Sequence, residues 1–378
     1  AEDRAFLREA VRPQPKPGLG VGRFDDGGIP KPPTERDGKR PADLLQNLRA
    51  ALEIAPDADP RAAPALDEAL ENLVVTPTGR EIAVEFTAFG AKAKVELCDV
   101  NNSTTAIVNG RRVLHASGGS MDPSEHPPRV GLNRHYLDTD PDYRRVNMAT
   151  TLGHELFGHA FEVQRASKAG LTSDSLLHYL GDEANAGLIG WLGKTELGGR
   201  LDDGHMWSYL ADPESYHRYL QTTMLYYSTT LSPADMRSPT AALDGRLAAI
   251  DAERLRTRGG VAGMTGWRPH IEHFITVHKM DRALFSSLLE DIAATEQWGA
   301  DHLVDLDEIE THLTATIEAW KKPEADAFKA DLAAAAGSDY MRQAERRLVA
   351  RAERLRGLVA GRKPEPSGST GFSLRWWT

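Results

Sequence analysis

The sequence predicts an α+β fold: a small antiparallel or mixed sheet with a histidine-bearing helix behind it, followed by a mainly helical second lobe. Three observations carry this expectation. Pro and Gly crowd residues 13–41, apolar and polar residues alternate over residues 80–116, and the apolar period becomes that of a helix from Pro141 onward.

Taken in order, AEDRAFLREA suits one or two helical turns, and the run from Pro13 to Pro41 opposes regular structure, so residues 1–41 read as an N-terminal arm. PADLLQNLRAALEIA sets Leu44, Leu45, Leu48 and Leu52 at helical spacing, and PALDEALENLV repeats the pattern on a shorter scale, which predicts a helical pair. REIAVEF, AKAKVELC and TTAIVNGRRVLHA then alternate, predicting three or more antiparallel strands with Asn109-Gly110 as a hairpin turn. RVGLNRHYL adds one more strand over residues 129–137. PDYRRVNMATTLGHELFGHAFEVQRASKAG reads as one long helix, with Asp140 as N-cap, Pro141 in the first position and Gly170 closing it. LLHYLGDEANAGLIGWLGKTEL is the next, and further helices are expected near 213–229, 233–257, 269–296, 302–320 and 323–360. The division that follows is an arm over 1–41, a lobe with the strands and histidine helix over 42–200, a helical lobe over 201–360 closing a cleft, and a tail over 361–378. Trp376 and Trp377 are costly to leave in water and predict a docked terminus.

Composition excludes several classes of function. The 378 residues are 40% apolar, enough for a substantial core, yet no run approaches the roughly 18 to 20 apolar residues that cross a bilayer, so no membrane span is expected. With 45 basic against 55 acidic residues the formal charge is −10, which argues against nucleic acid as a partner. Cys98 is the only cysteine, so a metal would be held by His and carboxylates. No signal peptide is visible, and the compartment stays open between a bacterial cytoplasm and export.

The stretch that carries chemistry is Gly153-His154-Glu155-Leu156-Phe157-Gly158-His159. Two histidines with a glutamate directly after the first, on a helix, is the arrangement of a zinc hydrolase: imidazoles as neutral ligands and a carboxylate to take a proton from bound water. The histidines are five residues apart instead of four. On a regular helix four residues return to within about 40° of the starting face, whereas five overshoot by about 140°. A shared metal therefore requires an extra residue in that turn, a π-bulge, and Gly158 lowers the steric cost.

The hexapeptide resembles the H-E-x-x-G-H signature of the dipeptidyl peptidase III family of zinc peptidases. That resemblance implies His154 and His159 as ligands and Glu155 as base. It covers six residues; the chain is much shorter than members of that family and lacks their E-E-x-R-A-E element, so exopeptidase specificity is not implied. Gly181-Asp182-Glu183-Ala184-Asn185-Ala186 looks like the E-A-N-A segment on the third-ligand helix of several bacterial zincins, which implies Glu183, 24 residues beyond His159, as third ligand. Its small neighbours would let the two helices approach, and Asp182 and Asn185 are candidates for orienting the histidines from behind. His178 is the competing third ligand. Strands, then histidine helix, then carboxylate helix is the zincin order.

These resemblances imply a zincin-like zinc metallopeptidase: one Zn²⁺ per chain, a protein or peptide substrate, and Glu155 activating water. Tyr226 or Tyr227 is the candidate for stabilising the developing oxyanion. A protease behind a Pro/Gly arm also resembles bacterial effector metallopeptidases and toxins, which implies a delivery apparatus and an immunity or inhibitor protein as partners. The alternatives are a peptidoglycan peptide hydrolase and a non-catalytic, metal-stabilised binding protein. Elsewhere, His270, His273 and His278 read as hydrogen-bonded residues of a partly buried helix. The acidic run Asp301 to Glu310 lacks the central glycine of a calcium loop and reads as a solvated helix start, and ERRLVARAERLR reads as an exposed, salt-bridged face.

Overall fold

Short helices and strands build the first part of the chain before long helices take over. The computed structural model describes residues 41–99, 103–108, 111–116, 118–201 and 203–362. The arm up to residue 40 with its expected helical turns, the Asn109-Gly110 turn, and Trp376 and Trp377 lie outside the described residues.

The chain opens with α1 (Pro41–Ala50), β1 (Leu52–Ile54), α2 (Ala62–Val75), α3 (Pro77–Phe89) and β2 (Ala93–Cys98). Two expectations are corrected here. The helix read from PADLLQNLRAALEIA stops at Ala50, and Leu52–Ile54 instead pairs in parallel with β2. REIAVEF is helical, within α3. The Thr76 side chain caps it by accepting from the Gly79 N–H, Pro77 takes the first turn, and Gly90 closes it at a φ of 75°. Ile82, Ala83 and Phe86 then fall on one buried helical face, so capping at both ends outweighs the alternation.

Next come β3 (Ser103–Val108) and β4 (Arg111–Ala116), an antiparallel pair separate from the main sheet, then β5 (Gly119–Asp122) and β6 (Arg129–Asn133). The main sheet has the order β1-β2-β6-β5. β1, β2 and β6 are parallel, and only the edge strand β5 runs antiparallel. The sheet is therefore mixed, not the run of antiparallel strands that the alternation suggested, and residues Arg134–Asp138 form a 3-10 turn where the last strand was expected to continue. The fold is α+β and mostly helical, with one small mixed sheet.

Behind the sheet lie α4 (Pro141–Leu152), a π-helical segment (Gly153–Ala160) and α5 (Phe161–Lys168), one continuous rod. Asp140 caps it by accepting from the Asp142 and Tyr143 N–H groups. The helix expected next is two, α6 (Ser173–Leu177) and α7 (Leu180–Glu196). They part at His178 and Tyr179, where the Leu231 N–H donates to the His178 carbonyl at 2.7 Å and the Leu231 carbonyl accepts from Leu180 at 2.9 Å.

The remaining helices are α8 (Gly204–Ala211), α9 (Pro213–Thr223), α10 (Pro239–Thr265), α11 (Trp267–His278), α12 (Ser286–Trp320), α13 (Asp326–Ala336) and α14 (Asp339–Val359), with a 3-10 turn at Leu225–Tyr227. The acidic run 301–310 lies inside α12 and starts no helix. His270, His273 and His278 are exposed on α11, so the expected partly buried set does not form. One core surrounds the main sheet, where Phe86 packs on Phe157 and Phe161 at ring distances of 5.8 and 5.2 Å. Another joins Leu188 and Trp191 of α7 to Tyr209, Tyr216 and Leu220, and to Leu355 and Val359 of α14. Helix α14 thus folds back onto α7. Among the described residues no helix is long and apolar enough to cross a membrane.

Candidate metal centre

Over Gly153–Ala160 the helix that bears the two histidines is π-helical. Its N–H groups bond five residues back, as Phe161 does to the Leu156 carbonyl, so residues five apart share a face. His154 and His159 consequently converge, with their Nε2 atoms 3.1 Å apart. Gly158 has a second role that the spacing did not disclose: a Cβ there would lie 2.4 Å from the Ala186 Cβ and 2.5 Å from its Cα. Glycine at this position sets the distance between the π segment and α7.

That close approach brings Glu183 to the histidines. Its Oε1 is 3.4 Å from His154 Nε2 and its Oε2 is 3.2 Å from His159 Nε2. Behind the ring, His159 Nδ1–H donates to Asp182 Oδ2 at 2.7 Å, which turns Nε2 toward Glu183 and His154. Glu155 is 7% exposed and stands beside the pair, with a carboxylate oxygen within 4.8 Å of both imidazoles. Glu155 and Glu183 therefore both qualify by proximity as ligands, and Glu183 is the one that touches both ring nitrogens.

Charge follows this geometry. Burial opposes ionisation of Glu183, yet His154, His159 and a hydrogen bond from the Tyr227 hydroxyl hold its carboxyl down at about 2. Burial also works against protonated His159, but the Asp182 carboxylate and Glu183 lift it well above the usual histidine range. Burial raises the carboxyls of Glu155 and of Asp182 above their ordinary values.

The other sequence candidates are placed as follows. Tyr227 reaches the centre through its hydrogen bond to Glu183. Tyr226 is 71% exposed, its ring edge-on to that of Tyr227 at 5.0 Å. Asn185 does not orient a histidine; its carbonyl oxygen accepts from Arg351 of α14. His178 sits in the break between α6 and α7, against Trp320 and Phe328, and is not part of the cluster.

Sequence reading missed Glu162, Tyr340 and Arg347. Glu162 is 2% exposed and accepts from the Tyr340 hydroxyl at 2.9 Å, from Arg347 at 2.7 Å and from Arg165 at 2.8 Å. The only signals were a glutamate three residues after His159 and arginines at helical spacing in ERRLVARAERLR. That segment, expected as an exposed face, turns Arg347, Arg351 and Arg354 inward.

The centre opens into a cleft of about 410 Å³. His154, Glu155 and Glu183 line it, with Gly118 and Gly119 at the start of β5, and Trp191, Tyr216 and Leu220 among the other lining residues. A larger cavity of about 770 Å³ shares no residue with it, and four of its charges pair within it, Arg134 with Asp57 at 2.8 Å and Arg61 with Asp59 at 2.7 Å. Compared with protein-family models, curated proteins and solved structures, the chain matches none.

Proposed function

We propose that this chain is a zincin-like metallopeptidase: His154, His159 and Glu183 hold one zinc ion, and Glu155 is the general base for hydrolysis of a peptide bond. The observation that carries the reading is the convergence of donors: the two Nε2 atoms are 3.1 Å apart, and the Glu183 carboxylate sets Oε2 3.2 Å from His159 Nε2 and Oε1 3.4 Å from His154 Nε2. Tetrahedral zinc with ligand distances of about 2.0 to 2.1 Å has donors about 3.3 Å apart, and these spacings are close to that. Two imidazoles and a carboxylate are also a usual donor set of catalytic zinc, which keeps its fourth position open.

Zinc in such a set supplies Lewis acidity to a carbonyl and lowers the pKa of water to about 7. The chain's own residues supply the rest. Glu155 is anchored directly after the first ligand, and its raised pKa suits a group that accepts a proton from water and returns it to the leaving amine. Gly119 leaves room for that side chain, because a Cβ there would lie 2.8 Å from Glu155 Cγ. An extended peptide laid beside the edge strand β5 would pass over Glu155. Tyr227 orients Glu183, and its place in the lining of the same cleft supports it as the donor to charge developing on the substrate. A buried carboxylate beside the ligands and an open cleft favour catalysis over a metal-stabilised binding protein, since a closed structural site needs neither.

Metal analysis of the purified protein should return about one zinc per chain. Glu155→Gln should keep that zinc and lower hydrolysis of a proteome-derived peptide library by at least about 100-fold. A protein without zinc, or a variant with full activity, would overturn the reading.

A further inference from the structure

Arg347, Arg351 and Arg354 are spaced four and three residues apart on α14 and share a helix face. Each reaches one of the two helices that carry the metal-centre residues. Arg354 Nη2 is 3.0 Å from Glu196 at the far end of α7, Arg351 donates to Asn185, and Arg347 Nη2 is 2.7 Å from Glu162 Oε2. The last contact differs in kind. Glu162 follows the π segment by two residues and is fully enclosed, and a carboxylate at that depth persists only where cations and donors satisfy it. Arg165, on the same helix, takes Oε1 at 2.8 Å. Oε2 depends on α14 alone, through Arg347 and the Tyr340 hydroxyl, the latter at 2.9 Å.

We infer that Arg347, assisted by Tyr340, is a positioning residue of the metal centre. By holding Glu162 it fixes the exit of the π-helical segment, and so the spacing of His154 and His159. Helix α14, far from the histidine motif in sequence, is on this account a working part of the centre. The inference rests on the metal-centre reading above.

The test uses the full chain and two readouts: zinc affinity by competition with a chromophoric chelator, and the visible absorption of the cobalt(II)-substituted protein, which reports ligand geometry. Arg347→Met should weaken zinc binding about 10- to 100-fold and alter the cobalt bands, with partial recovery in Arg347→Lys. Arg354→Met removes an arginine–carboxylate bridge of the same helix away from the histidines. It should lower thermal stability and leave zinc affinity at the wild-type value. Wild-type zinc affinity and cobalt bands in Arg347→Met, or equal weakening in both variants, would overturn the inference while the metal reading stands. Failure of the wild-type chain to bind either metal would instead overturn the metal reading, and this inference with it. Should Arg347→Met not fold, Tyr340→Phe carries the test, with an expected weakening of about fivefold; unchanged affinity there overturns it.

Discussion

Asp182 and Glu183 are neighbours on α7 that address opposite edges of one imidazole, Asp182 at Nδ1 and Glu183 at Nε2 of His159. His159 is thereby held in orientation from both sides, while His154 depends on Glu183 and the π turn. Glu183 in turn is steadied by the Tyr227 hydroxyl. Tyr227→Phe should therefore weaken zinc binding about tenfold, measured by chelator competition, because a loosened second layer of hydrogen bonds lets the carboxylate turn away. A lowered kcat with unchanged zinc affinity would mark the hydroxyl as a donor to the substrate instead. Tyr226→Phe, at an exposed ring, should leave zinc affinity unchanged. At this scale the local motif was legible: His154, Glu155, His159, Asp182 and Glu183 lie within 30 consecutive residues and the structure brings them together. Glu162 was not legible, because its partner Arg347 lies 185 residues away and nothing in its own neighbourhood announces a buried ion pair.

Among the elements, the π segment shows how a spacing rule can predict backbone geometry. Histidines five residues apart suit a helix only if it is widened there, and the helix is π-helical over Gly153–Ala160. The glycines of this region do different things. Gly158 packs against Ala186 with no room for a methyl group, so Gly158→Ala should cost about 1 to 3 kcal/mol in a urea unfolding experiment and push α7 away from the histidines, weakening zinc binding as well. Gly187, one turn beyond Glu183, would meet the Trp191 ring with its Cβ at an ordinary 3.4 Å. Gly187→Ala should therefore gain up to about 1 kcal/mol from helix propensity, and a loss of similar size would show that its packing has been misjudged. The misread elements have a common cause. REIAVEF alternates well enough for a strand, yet its fate was decided outside the segment, by Thr76 and Pro77 before it and Gly90 after it. The parallel pairing of β1 with β2 was likewise illegible, since a three-residue strand leaves almost no periodic signal.

Across the whole molecule the cleft is a joint product, its lining drawn from β5 and the histidine helix on one side and from α7 to the Leu225–Tyr227 turn on the other. The helices after residue 200 reach α7 through an aromatic core, and that core has a pH-sensitive member. His217 lies beside Tyr209 and Tyr216, at ring distances of 5.6 and 5.9 Å, and its Nε2 is buried without a partner among the described residues. Burial pushes its pKa from 6.5 down to about 4. Between these values the unfolded chain binds a proton that the native one refuses, so stability is whole above pH 6.5 and is lost as pH falls toward 4. The loss from this one group is at most about 3 kcal/mol, a sizeable share of the roughly 5 to 15 kcal/mol typical of a native fold. His178, whose pKa burial also lowers, adds to it with the same sign. His217→Phe keeps a ring between the tyrosines and removes the titration. Urea unfolding curves at pH 7 and pH 4.5, with a chelator present so that metal release does not enter, should show a distinctly smaller acid loss in this variant. At pH 7 its stability should equal or exceed that of the wild type, because an unpartnered buried nitrogen has been removed. Parallel pH profiles for the two proteins would mean that the core around α7 is open enough to solvate the imidazolium, and that the helical half holds the cleft wall less tightly than the packing implies.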